Sequence, residues 1–184
     1  MNCWKSVNMN KEYGQERRYF VSFLIGILSF MLLYVPISIF HHQAFTNDKV
    51  FVFIPFVVIF LLMPTIHSCL HILPSLFLGS SIRITLKWKF KVFPVFYFCT
   101  KSHLSKPLSL FISLAPTLLL TLPGIVASFA YKEFYVYTLI LTAANLGLSL
   151  KDFIYAGHLM RAPKRSRITN RVSGIDILIN QDAQ

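Results

Sequence analysis

His67 and His71 stand four residues apart in an apolar run over 50–78, with no charged residue between them. On a helix that spacing puts both imidazoles on one face, one turn apart, where they can reach a single ion. Two histidines make half of a tetrahedral zinc site, which needs one or two further His, Cys or carboxylate ligands. Asp152 is the candidate third. Counted along straight helices from the outer ends of two apolar runs that cross in the same direction, His67 lies about 26 Å in, His71 about 32 Å and Asp152 about 27 Å. A titratable group at such depth usually faces a partner or a wet cavity. The residues alone leave a second reading open, in which the imidazoles bond neighbouring carbonyls and Asp152 is solvated or paired beside Lys151. Cys69 projects away from the shared face, and His158, six residues after Asp152, is a spare ligand. His41 and His42 lie at the end of a run and His103 in a loop, where interfacial roles are expected.

These residues sit in a chain of 184 residues that is 55% hydrophobic and 14% charged, against roughly 25% charged in a soluble domain. Four runs, 20–40, 50–78, 108–130 and 134–160, reach the roughly 20 apolar residues that cross a hydrocarbon core. The first is too long for a signal peptide and lacks a small-residue cleavage site, so it reads as a retained span. The expected fold is therefore all-α and integral to the membrane, with four transmembrane helices. Its segments are an N-terminal stretch over 1–19, a membrane domain over 20–160 and a basic tail over 161–184. Pro55, Pro64 and Pro74 predict a bend or break in the second run near Pro64.

Eighteen Lys and Arg against seven Asp and Glu give a net charge of +11. All the basic residues but Lys49 and Lys132 fall on one side if there are four spans with both termini cytoplasmic, which is the positive-inside pattern. The expected location is thus the cell membrane, multi-pass, with anionic headgroups as the basic residues' partners. The cluster Arg161, Lys164, Arg165, Arg167 and Arg171 follows a span on that side, so nucleic acid is not an expected partner. No glycine-rich phosphate loop is present. Over 82–92, apolar residues alternate with Arg83, Thr85, Lys87, Lys89 and Lys91, which predicts a strand. Pro94 and the residues 95–99 are expected to turn it into a short amphipathic β-hairpin between spans two and three. Such a hairpin either rests its lysines on anionic lipid, at about 1 kcal/mol each, or offers an edge to an extended membrane-adjacent polypeptide. The tail reads as a separate appendage, with a short strand where Ile175, Ile177 and Ile179 alternate.

Ile66-His67-Ser68-Cys69-Leu70-His71, the basic strand, a span containing Leu114-Ala115-Pro116, the segment from Asn145 through Ser149 to Asp152, and Ala162-Pro163-Lys164 together resemble the putative zincin peptidase family of small multi-pass bacterial membrane proteins. More distantly they are similar to the site-2-protease class of intramembrane metalloproteases. The resemblance covers roughly 19–179. It implies Zn²⁺ held by His67, His71 and Asp152, with Asn145 and Ser149 in the site's polar lining. In that family the first motif reads His-Glu-x-x-His, so Ser68 occupies the position of the general base. Serine does not titrate near neutral pH, and general acid–base catalysis is worth roughly 10²- to 10⁴-fold. Glu12, Glu16 and Glu133 are the remaining glutamates, and none is placed by topology to substitute. The expectation is a degenerate zincin-like protein with no catalytic residue, either a metal-binding pseudopeptidase or an inefficient metalloprotease. The alternative is a non-enzymatic structural or interaction protein without metal.

Overall fold

The computed structural model of the chain describes residues 2–8, 12–41, 50–77, 82–89, 93–100, 103–164, 166–171 and 174–179. Five helices carry most of it: α1 (Gln15–Phe40), α2 (Val50–Phe77), α3 (Lys106–Ala130), α4 (Tyr135–Leu148) and α5 (Leu150–Arg161). Six strands complete it: β1 (Asn2–Asn8), β2 (Ile82–Lys89), β3 (Phe93–Thr100), β4 (Leu104–Ser105), β5 (Arg167–Arg171) and β6 (Gly174–Ile179). Helices α1, α2 and α3 are each long and apolar enough to cross a membrane, and α4 with α5 passes the same test as a bent pair.

Two expectations about the spans are corrected. The run over 134–160 is not one helix but two, bent by 46° at Ser149. There the Ser149 N–H and hydroxyl both go to the Asn145 carbonyl, while the Ser149 carbonyl accepts from both Asp152 and Phe153. That is a local tightening of the ladder, and a serine bonding back four residues is a known cause of helix bending. In contrast, no break occurs near Pro64, and α2 continues as one helical element through Pro55, Pro64 and Pro74. A proline inside a membrane helix removes one backbone bond, and neighbouring groups can re-satisfy the freed carbonyl.

Helix α4 lies among the other three long helices and packs against each. Its buried positions include Tyr135, Leu139, Ala143, Asn145 and Gly147. Gly147 is where α1 comes closest: a Cβ there would lie 2.7 Å from the Ser22 carbonyl oxygen, and the Ser22 hydroxyl donates to the Gly147 carbonyl. At the far end Ile37, Tyr135 and Leu139 form a cluster with Phe30, Leu33 and Tyr34. His41, expected at an interface, is buried there and donates Nε2–H to the Ser128 carbonyl at 2.8 Å, one of the carbonyls that the end of α3 leaves without a helical donor. Outward positions such as Leu28, Leu32, Ile39, Ile54, Val58 and Val126 are exposed, an apolar surface suited to hydrocarbon rather than water.

The all-α expectation is also corrected, because both ends of the chain join one antiparallel sheet of order β1-β6-β5-β4. Val7 pairs with Ile175, Ile168 with Ile177, and Leu104 with Ile168. The inner face closes on α5 through Val7, Tyr155, Leu159, Ala162, Ile168, Ile175 and Ile177. The tail is therefore part of a packed unit rather than an appendage, and its expected strand is β6. Segments that precede α1, precede α3 and follow α5 thus meet at one end of the bundle. The hairpin pairs β2 with β3 from Ile82↔Thr100 to Lys89↔Phe93. Its first strand ends at Lys89, and Pro94 stands inside β3 opposite Trp88 rather than in the turn, while residues 90–92 lie outside those described. Strand β3 runs beside α2 and β5.

The two glycines of α4 and α5 give a paired test. Gly147→Ala forces backbone against backbone and is expected to lower stability by roughly 1–3 kcal/mol. Gly157, where a Cβ meets nothing within 4 Å, should tolerate alanine with a gain of up to about 1 kcal/mol. Thermal unfolding of the two variants in one detergent checks both signs.

Candidate metal centre

Four helices converge on the buried group. Helix α2 contributes His67 and His71, one turn apart and on one face, with ring centroids 5.2 Å apart. The bend at Ser149 starts α5 so that Asp152 falls in its first turn, where the helix dipole favours a carboxylate. His67 Nε2 lies 2.9 Å from Asp152 Oδ2, and His71 Nε2 lies 3.3 Å from Asp152 Oδ1. His67 and Asp152 are 7% and 4% exposed.

The opposite ring nitrogens are also engaged. His67 Nδ1–H donates to Asn145 Oδ1 at 2.9 Å. The orientation of that amide is fixed independently, since Asn145 Nδ2 donates to the Pro116 carbonyl at 3.3 Å and to Thr121 Oγ1 at 3.1 Å. Asn145 therefore presents its oxygen to the ring, and the ring must hold its proton on Nδ1. His71 Nδ1–H donates to the Ile112 carbonyl at 2.9 Å. That carbonyl is available because the residue four further on is Pro116, which has no N–H to give it. Ser149 is fully buried and bonds back to Asn145 within the same helical stretch.

With Nδ1 protonated on both rings, each Nε2 facing the carboxylate must either carry a proton of its own, as the 2.9 Å His67–Asp152 contact allows, or give its lone pair to a cation held between the three groups. Ligand atoms around a tetrahedral zinc, each about 2.0–2.1 Å from it, stand roughly 3.3 Å apart. The candidate ligand atoms of His67, His71 and Asp152 all lie within 4.8 Å of one another, and this is the one such group among the described residues. An imidazole whose second nitrogen donates to a carbonyl is the usual condition of a metal-ligating histidine. The donor set fits zinc.

The other residues singled out by sequence do not join the group. Ser68 turns its hydroxyl along its own helix, donating to the Pro64 carbonyl at 2.7 Å. Cys69 is exposed. His158, the spare ligand, faces the N-terminal segment, with Nδ1 3.4 Å from Lys5 Nζ and Nε2 4.0 Å from Glu12 Oε2. His103 pairs with Thr169 Oγ1 at 2.8 Å, and His42 lies outside the described residues. Two groups that sequence reasoning did not single out complete the setting: the Ile112 carbonyl and the Thr121 hydroxyl.

A comparison with family models matches residues 59–167 to the family described as putative zincin peptidase. The match spans more than half of the chain and includes every residue of the centre. The chain belongs to the putative zincin peptidase family. A search of curated proteins gives no match, and neither does a search of solved structures. Zinc is the metal that the family's description suggests, and His67, His71 and Asp152 form a possible site for it.

The tautomers are directly measurable. In ¹⁵N-labelled protein the rings of His67 and His71 are expected to carry slowly exchanging protons on Nδ1. Asn145→Ala should release the His67 proton and leave that of His71. Because it strands a buried donor, the same change should lower stability by roughly 1–3 kcal/mol.

Proposed function

We propose that this member of the family is a four-span membrane protein that holds Zn²⁺ through His67, His71 and Asp152. It captures a membrane-adjacent polypeptide there without cleaving it efficiently. The observation that carries the reading is the convergence of two Nε2 atoms on one buried carboxylate, with both Nδ1 atoms engaged elsewhere.

The four-span topology draws support from the sheet. A bundle that returns the segments before α1, before α3 and after α5 to one end crosses the membrane an even number of times. The sequence segments that flank that end carry sixteen of the 18 basic residues, and the positive-inside pattern favours it as the cytoplasmic side of the cell membrane.

When bound, zinc supplies a Lewis acid that can polarise a peptide carbonyl. The protein's residues supply ligation, orientation and burial, but they do not supply a proton acceptor. Ser68 holds the general-base position and is committed to the Pro64 carbonyl. Both Asp152 oxygens face the imidazoles. Capture of an extended polypeptide suits the hairpin, since β2 pairs only with β3 among the described residues and β3 runs beside the helix that bears the histidines. An unpaired strand edge of this kind accepts a further strand through main-chain bonds.

A second reading rests on the same atoms. With a proton on each Nε2, His67, Asp152 and His71 close a hydrogen-bonded network without metal, and the protein is then an interaction or structural component. Zinc content separates the two. Detergent-purified protein offered zinc should hold about one per chain, and the His67→Ala, His71→Ala double variant should hold essentially none. Folded parent protein that takes up no zinc overturns the metal reading.

Degeneracy has its own test, on a membrane-anchored reporter. Ser68→Glu should raise chelator-sensitive cleavage by roughly 10²- to 10⁴-fold. Parent protein that already cleaves as fast as the glutamate variant refutes the pseudopeptidase account.

A further inference from the structure

Helix α1 packs on α4, and α2 packs on α3 and α4, but α1 and α2 scarcely meet. Between them lies a cleft of about 450 Å³, floored by the α4 face that carries Ala144 and Gly147 and walled on one side by Phe60 and Met63. It runs beside α1 from Tyr19 to Phe30. The two hydroxyl-bearing residues of the lining are already engaged: Ser22 donates to the Gly147 carbonyl, and Tyr19 accepts from Gln15 Nε2 at 3.2 Å. The cleft thus offers hydrocarbon contact along its length and polar character at the Tyr19 end.

Its apolar length suits the occupant. From Tyr19 to Phe30 the lining follows α1 for about 16 Å, a run that one extended acyl chain of the bilayer can follow. Charge selects the headgroup. Arg17 and Arg18 immediately precede Tyr19, and Arg18 lies one turn before Ser22 on the cleft's side of α1, with its Nε donating to the Gly14 carbonyl at 3.2 Å. Lys151 stands just past the bend that follows Gly147, its ammonium 5.3 Å from the Tyr155 ring centroid. Glu16 and Asp152 lie among these three cations in sequence, so the balance stays positive.

We propose that this cleft is a binding site for an anionic phospholipid of the surrounding bilayer, one acyl chain lying between α1 and α2 and the phosphate at the Arg17, Arg18 and Lys151 end. The proposal does not depend on zinc. It concerns the part of α2 one to two turns before His67, at Phe60, Met63 and Pro64, and none of the three ligands lines it, so the metal-free protein should bind the lipid equally.

The full-length protein in detergent, offered equal amounts of phosphatidylglycerol and phosphatidylcholine with identical chains, is read by native mass spectrometry. One phosphatidylglycerol per chain should be retained preferentially. A basic residue near an anionic surface is worth about fivefold in affinity, so Arg18→Gln should reduce the preference by about that factor. Ala144→Phe, which fills the floor, should reduce retention of both lipids. Equal retention of the two lipids by the parent, or a preference that Arg18→Gln leaves unchanged, overturns the headgroup assignment.

A second measurement needs no variant to fold. Phosphatidylglycerol bearing a diazirine in its acyl chain should label Phe23, Ile27, Phe60 and Ile140 above the outward residues Leu32 and Ile54. Labelling spread evenly over both sets overturns the site. So does displacement of the lipid by a single-span apolar peptide that labels the cleft instead.

Discussion

Pro116 has no N–H for the carbonyl of Ile112, and inside a bilayer no water replaces it. His71 does, through Nδ1, and that bond holds the imidazole with Nε2 toward Asp152. The carbonyl of Pro116 itself accepts from the Asn145 amide, which turns Asn145 Oδ1 toward His67 and fixes that ring in the same sense. One proline on α3 therefore orients two imidazoles on α2 by separate routes. Without the proline the histidines would still share a helical face, and the Ile112 carbonyl that orients His71 would go to its own helix instead, while Asn145 would keep its bond to Thr121. The remaining requirement, a carboxylate at the right depth, falls to the bend at Ser149.

That bend belongs to a wider habit of the chain. Ser68, Ser128, Thr142 and Ser149 all bond back four residues to carbonyls of their own helices, which satisfies hydroxyls where lipid cannot. The bonds between helices are instead concentrated on a few residues, His41, His67, His71 and Asn145. Close approach, as at Gly147 against Ser22, and the sheet at one end complete the packing. The sheet fixes α5 through Tyr155 and Leu159, residues one to two turns beyond Asp152. It thereby holds the carboxylate-bearing helix against the histidine-bearing one, and a tail that looks dispensable in sequence supports the centre.

What could be read from the sequence follows the range of the interactions. The histidine pair is a local pattern, and Asp152 emerged from counting depth along spans. Family resemblance added Asn145 and Ser149. The Ile112 carbonyl was missed, although its signal was present: a proline inside a span announces an orphan carbonyl four residues earlier. Strand β6 showed alternation, but β1 carries Trp4, Lys5 and Ser6 in no clean period and β4 is two residues long, so their pairing, set by contacts across most of the chain, left no local trace. The prolines of α2 misled in the opposite direction. They mark lost hydrogen bonds, yet the helix continues past each of them. The break came instead at Ser149, in a stretch whose composition looks uniformly helical.

The substitution at residue 68 changes charge as well as proton transfer. A dication held by two neutral imidazoles and one carboxylate has a net charge of +1, and a glutamate beside it would bring the centre to neutrality. On the proposed zinc reading, serine would leave that positive charge uncompensated in a setting where Asn145 and Ser149 are fully buried, and electrostatic attraction is stronger there than in water. A carboxylate oxygen of a captured polypeptide would neutralise it, whereas a carbonyl oxygen would be attracted without balancing the charge. The same replacement would then remove the general base and favour retention of an acyl oxygen. Loss of cleavage and gain of capture are, on this account, two consequences of one side chain.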